Sequence, residues 1–78
     1  MSERVLLDTL GTFCPMPVIE LAKAVETAEP GTEIEVLSDD PGAKVDIPVW
    51  CRMKHHEFVG REDRERGWSF VVRVAARD

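Results

Sequence analysis

Apolar and polar residues alternate with two different periods along this chain, and each change of period marks an element. "ERVLLDT" (3–9) gathers aliphatic residues ahead of Gly11, which predicts a short first strand ending near Asp8. From Val18 the apolar positions recur at Leu21, Ala22, Val25 and Ala28, one face of a helix that Pro30-Gly31 stops. "TEIEVLS" then sets Ile34 and Val36 against Glu33 and Glu35, the alternation of a half-buried strand. In "DDPGAKVDIPVWCRMKHH" the period returns to helical, with a two-step entry. Asp40 before Pro41 makes one N-cap and first-turn pair, and Asp46 ahead of Ile47-Pro48 makes another. Pro48 has no N–H and breaks a helix interior, so it belongs in the first turn of a main helix running from Ile47 to about His55. Ile47, Trp50, Cys51 and Lys54 then share a stripe. "EFVGR" and "GWSFVVRV" read as two strands joined by the charged loop "EDRER" and Gly67, with Trp68, Phe70, Val72 and Val74 facing the core. This order predicts an α/β (α+β) two-layer sandwich, β-α-β-α-β-β, with a four-stranded mixed sheet and both helices on one face. Residues 1–78 read as a single domain, without linker or repeat.

Composition narrows what such a domain does. A chain of 78 residues buries only about 60% of the surface its unfolded form exposes, so a large internal cavity is not expected. Ten basic against fifteen acidic residues leave a net charge of −5, which disfavours nucleic acid and anionic membrane and favours a protein partner with a basic rim. "MSERVLLDTLGTF" is too charged and too short of apolar residues for a signal peptide, and nothing approaches a membrane span of about 20 residues. The expectation is a cytoplasmic monomer whose two cysteines are reduced thiols.

Chemistry concentrates at "GTFCPMPVIELAKA" (11–24). The pattern places Cys14 at the N-cap of the first helix, Pro15 at the first helical position and Pro17 within the first turn, where missing N–H groups cost nothing. Gly11 lets the strand turn away. A helix N-terminus carries roughly half a positive charge and unpaired donors, and both favour a thiolate. A right-handed crossover makes the first two strands parallel, so the Cys14 loop and "SDDPG" emerge at one sheet edge. Asp39 and Asp40 are candidates for tuning the sulfur, although capping of the second helix is the simpler expectation for both. Lys23 is a solvated residue or part of a docking face. The competing account of Cys14 is a small buried filler beside a Pro-capped helix start.

Other constellations are weaker. Cys51 and His55 have the i, i+4 spacing of metal ligands, and Cys14 with His56 would complete a set of four. Cys51, however, lies about 8 Å along its helix from the end where Cys14 is expected, at roughly 1.5 Å per residue. The same separation opposes a Cys14–Cys51 disulfide. No metal is expected, and Cys51 reads as core packing. His55 and His56 suit a helix C-terminus. Trp50, Trp68, Phe58 and Phe70 are core by pattern, and Arg61, Arg64 and Arg66 alternate with acids as a solvated face.

At "LDTLGTFCPMPVIELAKA" the chain resembles the TusA/SirA family of small sulfur-carrier proteins, whose signature is Cys-Pro-x-Pro, here Cys14-Pro15-Met16-Pro17. A second block, "DDPGAKVDIPVWC", is similar to the family as well. "KHHEF" and "EDRER" depart from its pattern. The resemblance implies that Cys14 accepts sulfane sulfur as a persulfide from a cysteine desulfurase or rhodanese-like donor and relays it to an acceptor sulfur-relay protein, with no other cofactor. tRNA thiolation, molybdenum cofactor assembly, sulfur oxidation and selenium metabolism are the destinations it leaves open. A non-catalytic regulatory or interaction module and a thiol redox switch are the alternatives on the same fold.

Overall fold

The computed structural model describes residues 4–13 and 15–75. Its elements are β1 (Arg4–Asp8), α1 (Met16–Thr27), β2 (Glu33–Ser38), α2 (Ala43–Lys54), β3 (Glu57–Asp63) and β4 (Trp68–Arg73). They build one four-stranded sheet in the order β1-β2-β4-β3. β1 runs parallel to β2, and the other two pairings are antiparallel, so the sheet is mixed as expected. Among the described residues no helix is long and apolar enough to cross a membrane.

The period-2 alternation of β2 and β4 sends Ile34, Val36, Phe70 and Val72 to the same face, where all four are fully buried. Leu21 and Val25 of α1 and Ala43, Ile47 and Cys51 of α2 close over them. The opposite face is charged. Arg4, Glu33, Arg73 and Glu57 are successive register partners across all four strands, and each neighbouring pair is an ion pair at 2.8–3.0 Å. Each exposed pair contributes under about 1 kcal/mol. Their joint effect is on register, because a one-residue slip of any strand would carry its charges into the apolar layer.

Three expectations are corrected. Pro15, not Cys14, is the N-cap of α1, and Met16 is its first helical residue. The Met16 N–H is taken back to the Phe13 carbonyl at 2.8 Å, closing a turn, so the first helical bond runs from Ile19 N–H to the Pro15 carbonyl at 3.0 Å. α2 is one continuous helix from Ala43, with Pro48 in its interior rather than its first turn. A start at Ile47 would have left Ala43 out of the stripe Ala43, Ile47, Cys51 that packs on the sheet, and this burial offsets the one hydrogen bond Pro48 cannot make. Glu62 and Asp63 belong to β3, paired with Ser69 and Trp68, which leaves only 64–67 as the loop. Charged residues on an edge strand of this kind discourage pairing with another chain.

Gly67 closes that loop against β2. Its φ is +74°, and a Cβ there would lie 2.3 Å from the Ser38 carbonyl oxygen and 2.6 Å from the Asp39 Cα. Gly31 also has positive φ, at +89°, but faces open space. Gly67→Ala should therefore cost well over about 1 kcal/mol, and Gly31→Ala about 1 kcal/mol for the left-handed backbone alone. Denaturant unfolding of both variants checks that ranking.

Candidate functional site

The parallel pairing of β1 and β2 continues one residue past β1. Thr9 gives its N–H (2.9 Å) and its hydroxyl (2.6 Å) to the Leu37 carbonyl. The chain then leaves the sheet and turns at Gly11, φ +83°. Thr12 doubles back, donating its N–H (3.2 Å) and hydroxyl (2.7 Å) to the Thr9 carbonyl. With the Phe13–Met16 turn, the backbone is therefore pinned on both sides of position 14. Cys14 itself lies outside the described residues. Its sequence neighbours are at the surface, Pro15 exposed and Phe13 77% exposed. Pro17 is buried and anchors the first turn of α1 to the core.

The structure gives Asp39 and Asp40 different tasks. Asp40 is not the N-cap that the sequence suggests: α2 is capped at Gly42 without a side-chain bond, and Asp40 instead closes the turn ahead of it, its Oδ1 accepting the Gly42 N–H at 3.1 Å and its carbonyl the Ala43 N–H at 3.0 Å. Asp39 does not cap α2. Its Oδ1 accepts the Gly11 N–H at 3.1 Å, and its Oδ2 accepts the Arg66 Nε at 2.8 Å. The Gly11 N–H first, then the Arg66 guanidinium, hold its carboxyl below the usual carboxylate range. Asp39 thus ties the loop before Cys14 to the loop between β3 and β4. Arg66 is the residue that sequence reasoning missed. It was one of three alternating arginines, and only the close approach enforced by Gly67 shows which of them reaches Asp39. Lys23 is exposed and paired with Glu20 at 3.6 Å on the outer side of α1.

A shallow hollow of about 210 Å³ adjoins this loop, lined by Pro15, Val18, Asp46, Val49, Trp50 and Met53. The side chains with metal-ligand spacing, Cys51, His55 and His56, are engaged otherwise. Cys51 is 1% exposed in the core, and burial pushes its thiol up to about 11. His56 stacks on Trp50 at 5.4 Å, and its Nδ1 accepts the Ala75 N–H at 3.0 Å. His55 ends α2 in the left-handed region, φ 65°. Among the described residues no three His, Cys, Asp or Glu side chains are grouped to hold a metal ion.

The chain as a whole is similar to known proteins. The family model described as sulfurtransferase TusA matches residues 5–74. Two proteins of Archaeoglobus fulgidus, each described as "Putative sulfur carrier protein", are similar to this chain. One is 38% identical over 88% of this chain and 94% of its own length, the other 44% identical over 87% and 90%. The crystal structure of a SirA-like protein from Desulfitobacterium hafniense superposes with a TM-score of 0.77 at 27% identity, covering 94% of this chain and 99% of that one.

Burial of Cys51 makes a prediction of its own. Its folded pKa of about 11 lies above the ordinary value of 9.0, so between those pH values the unfolded chain releases this proton while the folded one keeps it. Its contribution is intact below about pH 9 and is lost as pH rises through about 11. Unfolding free energies measured across that window should fall more steeply for the wild type than for Cys51→Ala. Parallel curves would mean that the thiol is not desolvated.

Proposed function

We propose, for a chain that belongs to the TusA family of sulfur carriers, that Cys14 is the carrier and holds sulfane sulfur as a persulfide. In loading, the Cys14 thiolate attacks the terminal sulfur of a donor persulfide. A new S–S bond forms at Cys14, the donor's own S–S bond breaks, and the donor cysteine leaves as a thiolate. Unloading repeats the exchange with an acceptor thiolate as the attacking group. Neither step has net oxidation or reduction, and neither needs a metal or a deep pocket. A cysteine desulfurase or rhodanese-like protein fits the donor role, and a sulfur-relay protein with a reactive thiol fits the acceptor role. tRNA thiolation, molybdenum cofactor assembly and sulfur oxidation are routes that such an acceptor would serve.

The observation that carries this reading is the exposure of both sequence neighbours of Cys14 on a backbone pinned from either side. A relay thiol must be reachable by a partner's sulfur and must be presented in one place. Phe13 adds a partner-binding cue, since an aromatic ring left 77% in water beside a reactive group is the type of residue that anchors transient interfaces.

Incubation with a desulfurase and cysteine should add about 32 Da, one sulfur atom, to the peptide containing Cys14. Cys14→Ser should abolish the gain, and Cys51→Ser should retain it. A wild-type protein that gains no sulfur would overturn the proposal.

Phe13→Ala should leave stability within about 0.5 kcal/mol, as for other exposed positions, while slowing loading by the donor. Thermal melts and loading time courses on the same preparation separate the two effects. Equal loading rates would remove Phe13 from the interface.

A further inference from the structure

The sheet end that presents the Cys14 loop is rich in carboxylates. Asp8 caps the turn after β1 by accepting the Leu10 N–H at 3.1 Å. Asp39 and Asp40 follow β2, Asp46 lines the hollow beside Pro15, and Glu65 precedes Arg66. Cations at this end among the described residues include Arg66, on Asp39, and Lys44, whose Nζ sits 4.3 Å over the Trp68 ring. Arg64 is turned to Glu35 and Glu62 on the open sheet face. Asp39 reaches the Cys14 loop from across the sheet edge, accepting the Gly11 N–H.

We infer that Arg66 is a positioning residue for the sulfur relay, acting through Asp39 to keep an uncompensated negative charge away from the Cys14 thiolate. Asp39 holds the loop by accepting from Gly11, but its charge alone would oppose thiolate formation. Arg66 supplies the opposing charge at 2.8 Å. Its placement is dictated by the next residue, because Gly67 lies so close to Ser38 and Asp39 that no Cβ fits between them. Gly11, which Asp39 holds, precedes Cys14 by three residues in the sequence, a stretch that spans at most about 11 Å. At that range one charge changes a pKa by a few tenths of a unit in a watery setting and by about one unit in a half-desolvated one. The salience of this tuning for sulfur transfer rests on the persulfide reading, but its measurement does not.

The test is the pH dependence of Cys14 alkylation by iodoacetamide, read by peptide mass spectrometry, on the full chain and a double-mutant cycle. Arg66→Gln should raise the apparent pKa of Cys14, and Asp39→Asn should lower it. Each shift should be a few tenths to about one unit, or about two- to tenfold in rate below the pKa. The double variant D39N/R66Q should return close to wild type, and Arg66→Lys should stay near it. Both single shifts should shrink in about 1 M salt, where the screening length falls to about 3 Å. Loss of a merely structural tie would move both single variants the same way and would be insensitive to salt; that result, or no shift in either, overturns the inference. If the shifts appear but Cys14 takes no sulfur from a desulfurase, the relay reading fails and the tuning stands. If Cys14 loads but neither charge moves its pKa, the tuning alone fails.

Discussion

The parallel pairing of β1 with β2 is the constraint on which the rest of the site depends. Parallel neighbours joined through a helix bring their C-terminal ends to the same sheet edge, so the loop into α1 and the loop into α2 must lie side by side. Thr9 extends the pairing one residue beyond β1, and Asp39 then reaches the Gly11 N–H across the gap. β4 lies antiparallel beside β2, which brings Gly67 and Arg66 to that edge as well. Three loops distant in sequence become one surface, anchored beneath by the buried Thr9 and Ser38.

Electrostatics divides the molecule by face. On the helix-free face, rows of opposite charges run from strand to strand and satisfy one another. At the loop edge carboxylates predominate, and the net charge of −5 makes a positive partner the natural visitor. Between these regions Cys51 is held protonated by burial. The two cysteines are thereby set apart for different reasons: one belongs to the core, and the other lies in a loop whose described neighbours are open to water.

Most of the fold was legible because its strands and first helix obey a single period. Ile34 and Val36 alternate with glutamates, and Phe70, Val72 and Val74 alternate along and just past β4; all five are buried. What was not legible depended on tertiary balance. Pro48 signals a helix start locally, yet the packing of Ala43 extends α2 behind it. Glu62 and Asp63 look like loop residues until β4 supplies their partners. At the site, the glycine, the prolines and both aspartates could be named from the motif. The division of labour between Asp39 and Asp40 could not, because two adjacent carboxylates are equivalent until Gly11 and Gly42 are placed in space. Arg66 escaped for the same reason, since nothing in a run of alternating charges distinguishes the one that folds back over β2.

Sulfur moving through Cys14 by thiol exchange is the claim that gives these placements a purpose. The most direct measurement follows radiolabelled sulfur from cysteine, through a desulfurase, onto this protein in non-reducing gels. The account predicts label on the wild-type chain, released by a thiol reductant and passed to an acceptor thiol, with none on Cys14→Ala. Label that persists on Cys14→Ala, or that resists the reductant, would contradict it.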